Sequence, residues 1–93
     1  MVTFETGSLA RSKAGHDKDN LFIIIHSEKE YVYLADGKTR TVDRPKCKKK
    51  KHVQWIHYFP EEVQRKLAIG ESLQNEDIKR AIRLYRRLKN VKS

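Results

Sequence analysis

From Gly7 to Phe22 the chain reads Gly7-Ser8-Leu9-Ala10-Arg11-Ser12-Lys13-Ala14-Gly15-His16-Asp17-Lys18-Asp19-Asn20-Leu21-Phe22. This is strand, tight loop and strand. Gly7 opens a short apolar strand, a basic turn follows, and Gly15 closes it shortly before a new hydrophobic run. Glycine serves positions of positive φ or close backbone approach, so the pair marks a loop that exposes its own backbone. Arg11, Lys13, His16 and Lys18 line that loop. Spacing alone favours an ordinary hairpin turn with solvated charges.

Working outward, strand signals continue to about Phe59. Leu9 to Ser12 is short. Leu21-Phe22-Ile23-Ile24-Ile25-His26 is continuous, apolar and β-branched, the pattern of a strand buried on both faces. Tyr31 to Ala35 follows a polar turn. Asp36-Gly37 is a hairpin signal, with Thr39 to Val42 as the expected return strand. Asp43-Arg44-Pro45 interrupts it, because Pro45 cannot donate to a ladder. Val53 to Tyr58 reads as the last strand. Alternation there sets Val53, Trp55 and His57 on one face and Gln54, Ile56 and Tyr58 on the other, without saying which faces inward. Several short strands in about sixty residues indicate a small closed or nearly closed barrel.

After Phe59 the period becomes helical. Pro60-Glu61-Glu62 suits a first turn, Val63 and Leu67 share a face, and Gly70 is a stop. A second helix is expected from Asn75 as N-cap, with Glu76 and Asp77 in its first turn. Ile78, Ala81, Ile82, Tyr85 and Leu88 then recur at helical spacing. Arg80, Arg83, Arg86 and Arg87 fall opposite them, near Lys79. The expected organisation is one mostly β domain over residues 1–59, with a helical extension of one or two helices over 60–93 packed on or beside it.

The 93 residues carry a formal charge of +9 and a pI near 9.9. That favours a polyanionic partner, nucleic acid first and an anionic membrane surface second. Residues 1–44 hold seven Lys/Arg and seven Asp/Glu, residues 45–59 five Lys and no acid, and residues 60–93 nine Lys/Arg and five acids. Polyanion contact should therefore lean on the second half. No apolar run is long enough to span a bilayer and no N-terminal signal segment is evident. A single cysteine, Cys47, excludes an internal disulfide framework and fits a reducing cytosol.

Three features can carry binding chemistry: the glycine loop, the run Lys46-Cys47-Lys48-Lys49-Lys50-Lys51, and the arginine face of the last helix. Lysines act as flexible point charges, suited to phosphate without base specificity. His52, Trp55, His57 and Tyr58 follow the run, and unpaired bases stack on aromatic faces. The competing reading of the run is a solvated segment that keeps a sheet edge from aggregating. For the helix it is a solvated amphipathic face, or an apolar stripe docked on a protein partner. Cys47, His52 and His57 lack metal-ligand spacing. No nucleophile elbow, P-loop or dinucleotide fingerprint occurs, and Asp17 and Asp36 beside glycines are turn residues, so a catalyst is not expected.

The run Ser12-Lys13-Ala14-Gly15-x-Asp17-Lys18 resembles the KOW motif, the strand-loop-strand element of small RNA-binding barrels in ribosomal proteins and transcription elongation factors. It is similar to bacterial KOW-domain RNA-binding proteins, which resemble a KOW-type protein of the archaeal and eukaryotic large ribosomal subunit. The resemblance covers about residues 7–55 and the helical tail less specifically. It implies an SH3-like barrel of about five strands and non-catalytic binding of structured RNA, rRNA foremost. It further implies a cytoplasmic, ribosome-associated protein with ribosomal proteins as neighbours, and no cofactor, small-molecule substrate or membrane. The RNA-binding residues on this reading are Arg11, Ser12, Lys13, Gly15, His16 and Lys18 of the loop; Lys46, Lys48, Lys49, Lys50, Lys51 and His52; and Arg80, Arg83 and Arg87. Two positions depart from the relatives, which commonly carry arginine at His16 and glycine at Asp19. The first loses a bidentate donor and the second adds a charge repelled by phosphate. A KOW-type protein-interaction module and a general DNA-binding protein remain the alternatives.

Overall fold

Most of the strands form on the apolar runs, but one forms in the lysine run, where a polar side chain upstream has captured the backbone expected to pair. The computed structural model describes residues 4–13, 15 and 18–90. Strand β1 spans Leu9–Ser12, β2 Leu21–Ser27, β3 Tyr31–Ala35, β4 Lys46–Lys49 and β5 Val53–Ile56, with a 3-10 turn at Lys50–His52 between the last two. Helices α1 (Glu61–Ala68) and α2 (Asn75–Asn90) follow. The five strands make one antiparallel sheet in the order β4-β3-β2-β1-β5. Among the described residues β4 and β5 do not pair, so of the closed or nearly closed barrel expected, full closure is absent.

The return strand expected at Thr39–Val42 does not form. Asp36 Oδ1 accepts from the Lys38 and Arg40 N–H groups, at 2.8 and 2.9 Å, and Oδ2 accepts from the Thr39 hydroxyl. The Arg40 carbonyl accepts from the Asp36 and Gly37 N–H groups. The backbone groups a ladder would use are thus satisfied inside a five-residue loop. Pairing with β3 passes instead to the lysine run: Tyr31↔Lys49, Val32↔Lys48, Tyr33↔Cys47 and Leu34↔Lys46. The loop presses on α2. Gly37 has φ +83°, and a Cβ there would lie 2.6 Å from the Asn75 carbonyl oxygen.

Both faces of the sheet are buried. On one, Leu9, Leu21, Ile23 and Ala35 pack against Val63 of α1 and Ile78, Ala81, Ile82 and Tyr85 of α2. On the other, Ala10, Phe22, Ile24, Val32, Leu34 and Val53 form a second cluster with Phe4 and Trp55, and no helix reaches it. A helix-free face stays dry only if the sheet curls around it. Two contacts show that it does. Lys48 Nζ on edge strand β4 donates to Ser12 Oγ on β1 at 2.6 Å. In a flat sheet those strands would stand about 14 Å apart, beyond a lysine's reach of about 6 Å. In addition, the 3-10 turn joins the β4 end beside Tyr31 to the β5 start beside Ser12. These corners lie at opposite ends of β2. The irregular register between Ile24 and His26 supplies a bulge, the usual means of bending a strand.

Helix α1 ends before Gly70, whose φ is +78°, at the expected stop. Helix α2 begins at Asn75 but is not capped by it. Asn75 Oδ1 accepts from the Val42 N–H at 2.9 Å, tying the 36–45 loop to the helix. The cap comes from Asp77, whose Oδ2 accepts from the Gln74 N–H at 2.8 Å, the backward half of a capping box. The same oxygen takes Lys66 Nζ of α1 at 2.7 Å, and Arg80 bonds Glu62 at 2.6 Å. Among the described residues no helix is long and apolar enough to cross a membrane.

Candidate nucleic-acid interface

The glycine loop is clasped at its base. The Ser12 N–H donates to the Asn20 carbonyl and the Asp19 N–H to the Ser12 carbonyl at 2.8 Å; above them the Lys18 N–H reaches the Gly15 carbonyl. Gly15 holds φ +88°, as a backbone-exposing turn requires. Asp19 holds φ +72°, the one positive value at a described non-glycine residue. The backbone there has the conformation that glycine adopts most cheaply. Lys13, Gly15, Lys18 and Asp19 are exposed, Ser12 is buried, and Arg11 is half-buried with an enclosed Nε that finds no partner. Ala14, His16 and Asp17 lie outside the described residues.

Curling brings the lysine turn against this loop. The Lys13 N–H donates to the His52 carbonyl at 2.9 Å, while the Lys50 N–H donates to the Glu30 carbonyl at 2.9 Å. The turn is thereby fixed at both ends between the β1–β2 loop and the β2–β3 turn. Lys49, Lys51 and His52 project exposed, and Lys50 lies with its Nζ 5.5 Å from the Phe4 ring centroid. Lys29, Glu30, Lys49, Lys50 and Lys51 line a shallow depression beside the turn.

The lysine run is not the uniform solvated segment its composition indicates. Lys46 and Lys48, opposite Leu34 and Val32, share the inner face and are half-buried, whereas Cys47 and Lys49 point outward and are exposed. Inward lysines on an edge strand also discourage edge-to-edge pairing. Alternate residues of the run therefore stand in different environments.

Trp55 is a wall of the inner cluster. Its Nε1 donates to Ser8 Oγ at 2.7 Å, and that hydroxyl donates to the Glu5 carbonyl at 2.6 Å. The exposed His57 ring stacks on it at 5.1 Å, and Phe59 closes edge-on. Tyr58 turns to the helix side and meets Tyr85 at 5.0 Å.

The arginine face is divided too. Arg80 is tied to Glu62 and lies 3.9 Å from Asp77, which removes it from the basic surface. Arg83 and Arg86 look the other way. With Lys38, Lys79, Asp36, Leu21 and Ile82 they line a cavity of about 290 Å³ between the 36–40 loop and α2. Arg87 is exposed. Lys38 carries no sequence signal for this role, because only the docking of its loop on α2 brings it there. Arg86 and Lys79 were legible as members of the helix's basic face. Burial raises the Asp36 carboxyl's pKa, but the Arg40 and Lys38 N–H groups outweigh it and hold the group below its ordinary value.

Among the described residues no three His, Cys, Asp or Glu side chains group as a metal site. No protein-family model matches the chain, and no curated protein matches it at a significant level.

Proposed function

We propose that this protein binds structured RNA without catalysing a reaction, as a KOW-type, SH3-like barrel associated with rRNA in the cytoplasm. The observation that carries the reading is the Lys13 N–H to His52 carbonyl bond. It joins the KOW-like loop to the lysine turn, so that Lys13 lies beside His52, the last residue of the turn that carries Lys51. Phosphates and 2′-hydroxyls dominate recognition of folded RNA, and cations beside exposed backbone suit both. The curled five-stranded sheet and the 3-10 crossover into β5 support the barrel reading. Binding to rRNA fragments should weaken steeply with salt. Contact with about four to six phosphates gives a slope of log affinity against log salt near −3 to −5. A flat response would sink this reading, and equal affinity for duplex DNA would favour the DNA-binding alternative. Exposed Leu84, Leu88 and Ile69 on the helical side favour a second reading, a protein-interaction module whose binding is insensitive to salt.

A further inference from the structure

The cavity between the 36–40 loop and α2 is lined in part by Leu21, the residue that follows the glycine loop. Leu21, at its floor, directly follows the clasped Asn20, and Leu21 pairs across the ladder with Arg11. Directly opposed residues of an antiparallel pair share a face, so the Arg11 side chain, with its unpartnered Nε, stands beside that floor. The rim holds Lys38, Lys79, Arg83 and Arg86 against one acid, Asp36. Lys79 is paired with Glu76 at 2.8 Å. Asp36 is held by three donors of its own loop; among the described residues Lys38, Arg83 and Arg86 make no close ion pair, although the Arg83 charge also acts on Glu76. The wall is rigid, because Gly37 abuts the first turn of α2 and Asn75 holds the Val42 N–H.

We infer that this groove receives the sugar–phosphate strand of the same RNA as it leaves the glycine loop, phosphates on the Lys38, Arg83 and Arg86 rim and the ribose edge over Leu21 and Ile82. The inference rests on the RNA reading above and extends it to a second surface. An amphipathic floor and rim match a nucleotide strand, whereas a small inorganic anion would use the rim alone. Preorganised walls reduce the ordering cost of binding.

The test is affinity for an rRNA hairpin across a salt series, with thermal melts alongside. The double variant Arg83→Gln, Arg86→Gln should bind about tenfold more weakly at low salt, with a slope shallower by about one to two. Arg80→Gln should melt earlier and bind as the parent does, because its partners are Glu62 and Asp77. A variant-free arm maps lysine acetylation on the parent protein with and without the hairpin: Lys38 should be protected. This arm decides if the double variant fails to fold. Parent-like affinity and slope in the folded double variant, or an unprotected Lys38, would overturn the groove while leaving RNA binding at the glycine-loop corner intact. Absence of salt-dependent binding by the parent would overturn both.

Discussion

Asp19, at φ +72°, occupies a conformation that costs an L-residue about 1–2 kcal/mol, less for Asp than for bulkier side chains. Asp19→Gly relieves that cost but loosens the unfolded chain by a comparable amount, so the melting temperature should barely move. The carboxylate's repulsion of phosphate is a separate effect. Both Asp19→Gly and Asp19→Asn should therefore tighten RNA binding about twofold at low salt. Equal affinities for both variants and the parent would show that the loop does not face phosphate. Gly37 is the opposite case, since neither its φ nor its surroundings admit a side chain. Gly37→Ala should destabilise by about 2–4 kcal/mol, combining left-handed strain with displacement of the Asn75 carbonyl. A denaturant midpoint unchanged from the parent would contradict that account.

At the scale of elements, the start of α2 shows one residue serving two structures. Asp77, 6% exposed, caps the helix through the Gln74 N–H and anchors α1 through Lys66. Burial raises its pKa; the Lys66 hydrogen bond, the Gln74 N–H and the charges of Lys66 and Arg80 outweigh burial, and the net shift is downward. A depressed folded pKa means its contribution is fully present above the unfolded value near ~3.9 and is lost as pH falls through the folded value. Asp77→Ala should cost about 2–3 kcal/mol at neutral pH. The parent and variant should converge on acidification below about pH 4. Urea titrations at both pH values check this, and a constant gap would assign the effect to packing alone.

For the whole molecule, the consequence of curling is that neighbouring lysines do different work. Lys48 reaches across the sheet to Ser12, while Lys49 and Lys51 face solvent at the corner. Replacing all four lysines of Lys48–Lys51 together would confound the two roles. Lys49→Gln with Lys51→Gln should leave the melt unchanged and make the RNA salt slope shallower by about one to two. Lys48→Gln alone should lower stability by about 1 kcal/mol through the lost Ser12 bond. Unchanged RNA affinity in the first pair would reduce the turn to a solvated edge.

Local chemistry determined much of this protein before tertiary contacts entered. The β-branched run at Leu21 can be dry only as a doubly covered strand, Gly15 sits where the turn needs positive φ, and the apolar stripe from Ile78 to Tyr85 requires a helix with a buried face. Those statements depend on residues close in sequence and hold in the structure, except that Leu88, the last residue of the expected stripe, is exposed. Tertiary structure decided which partner each polar group found. Asp36 is the local exception: it captured the backbone of its own loop, and pairing with β3 passed to Lys46–Lys49. Asn75 left the cap to Asp77 and took the Val42 N–H. Arg80 turned to Glu62, while Arg83 and Arg86 line the cavity beside the 36–40 loop. A hydrogen-bonding or charged side chain accepts many partners at similar free energy, and which one it meets depends on segments far away in the chain. The apolar pattern is legible locally because water is the same partner everywhere.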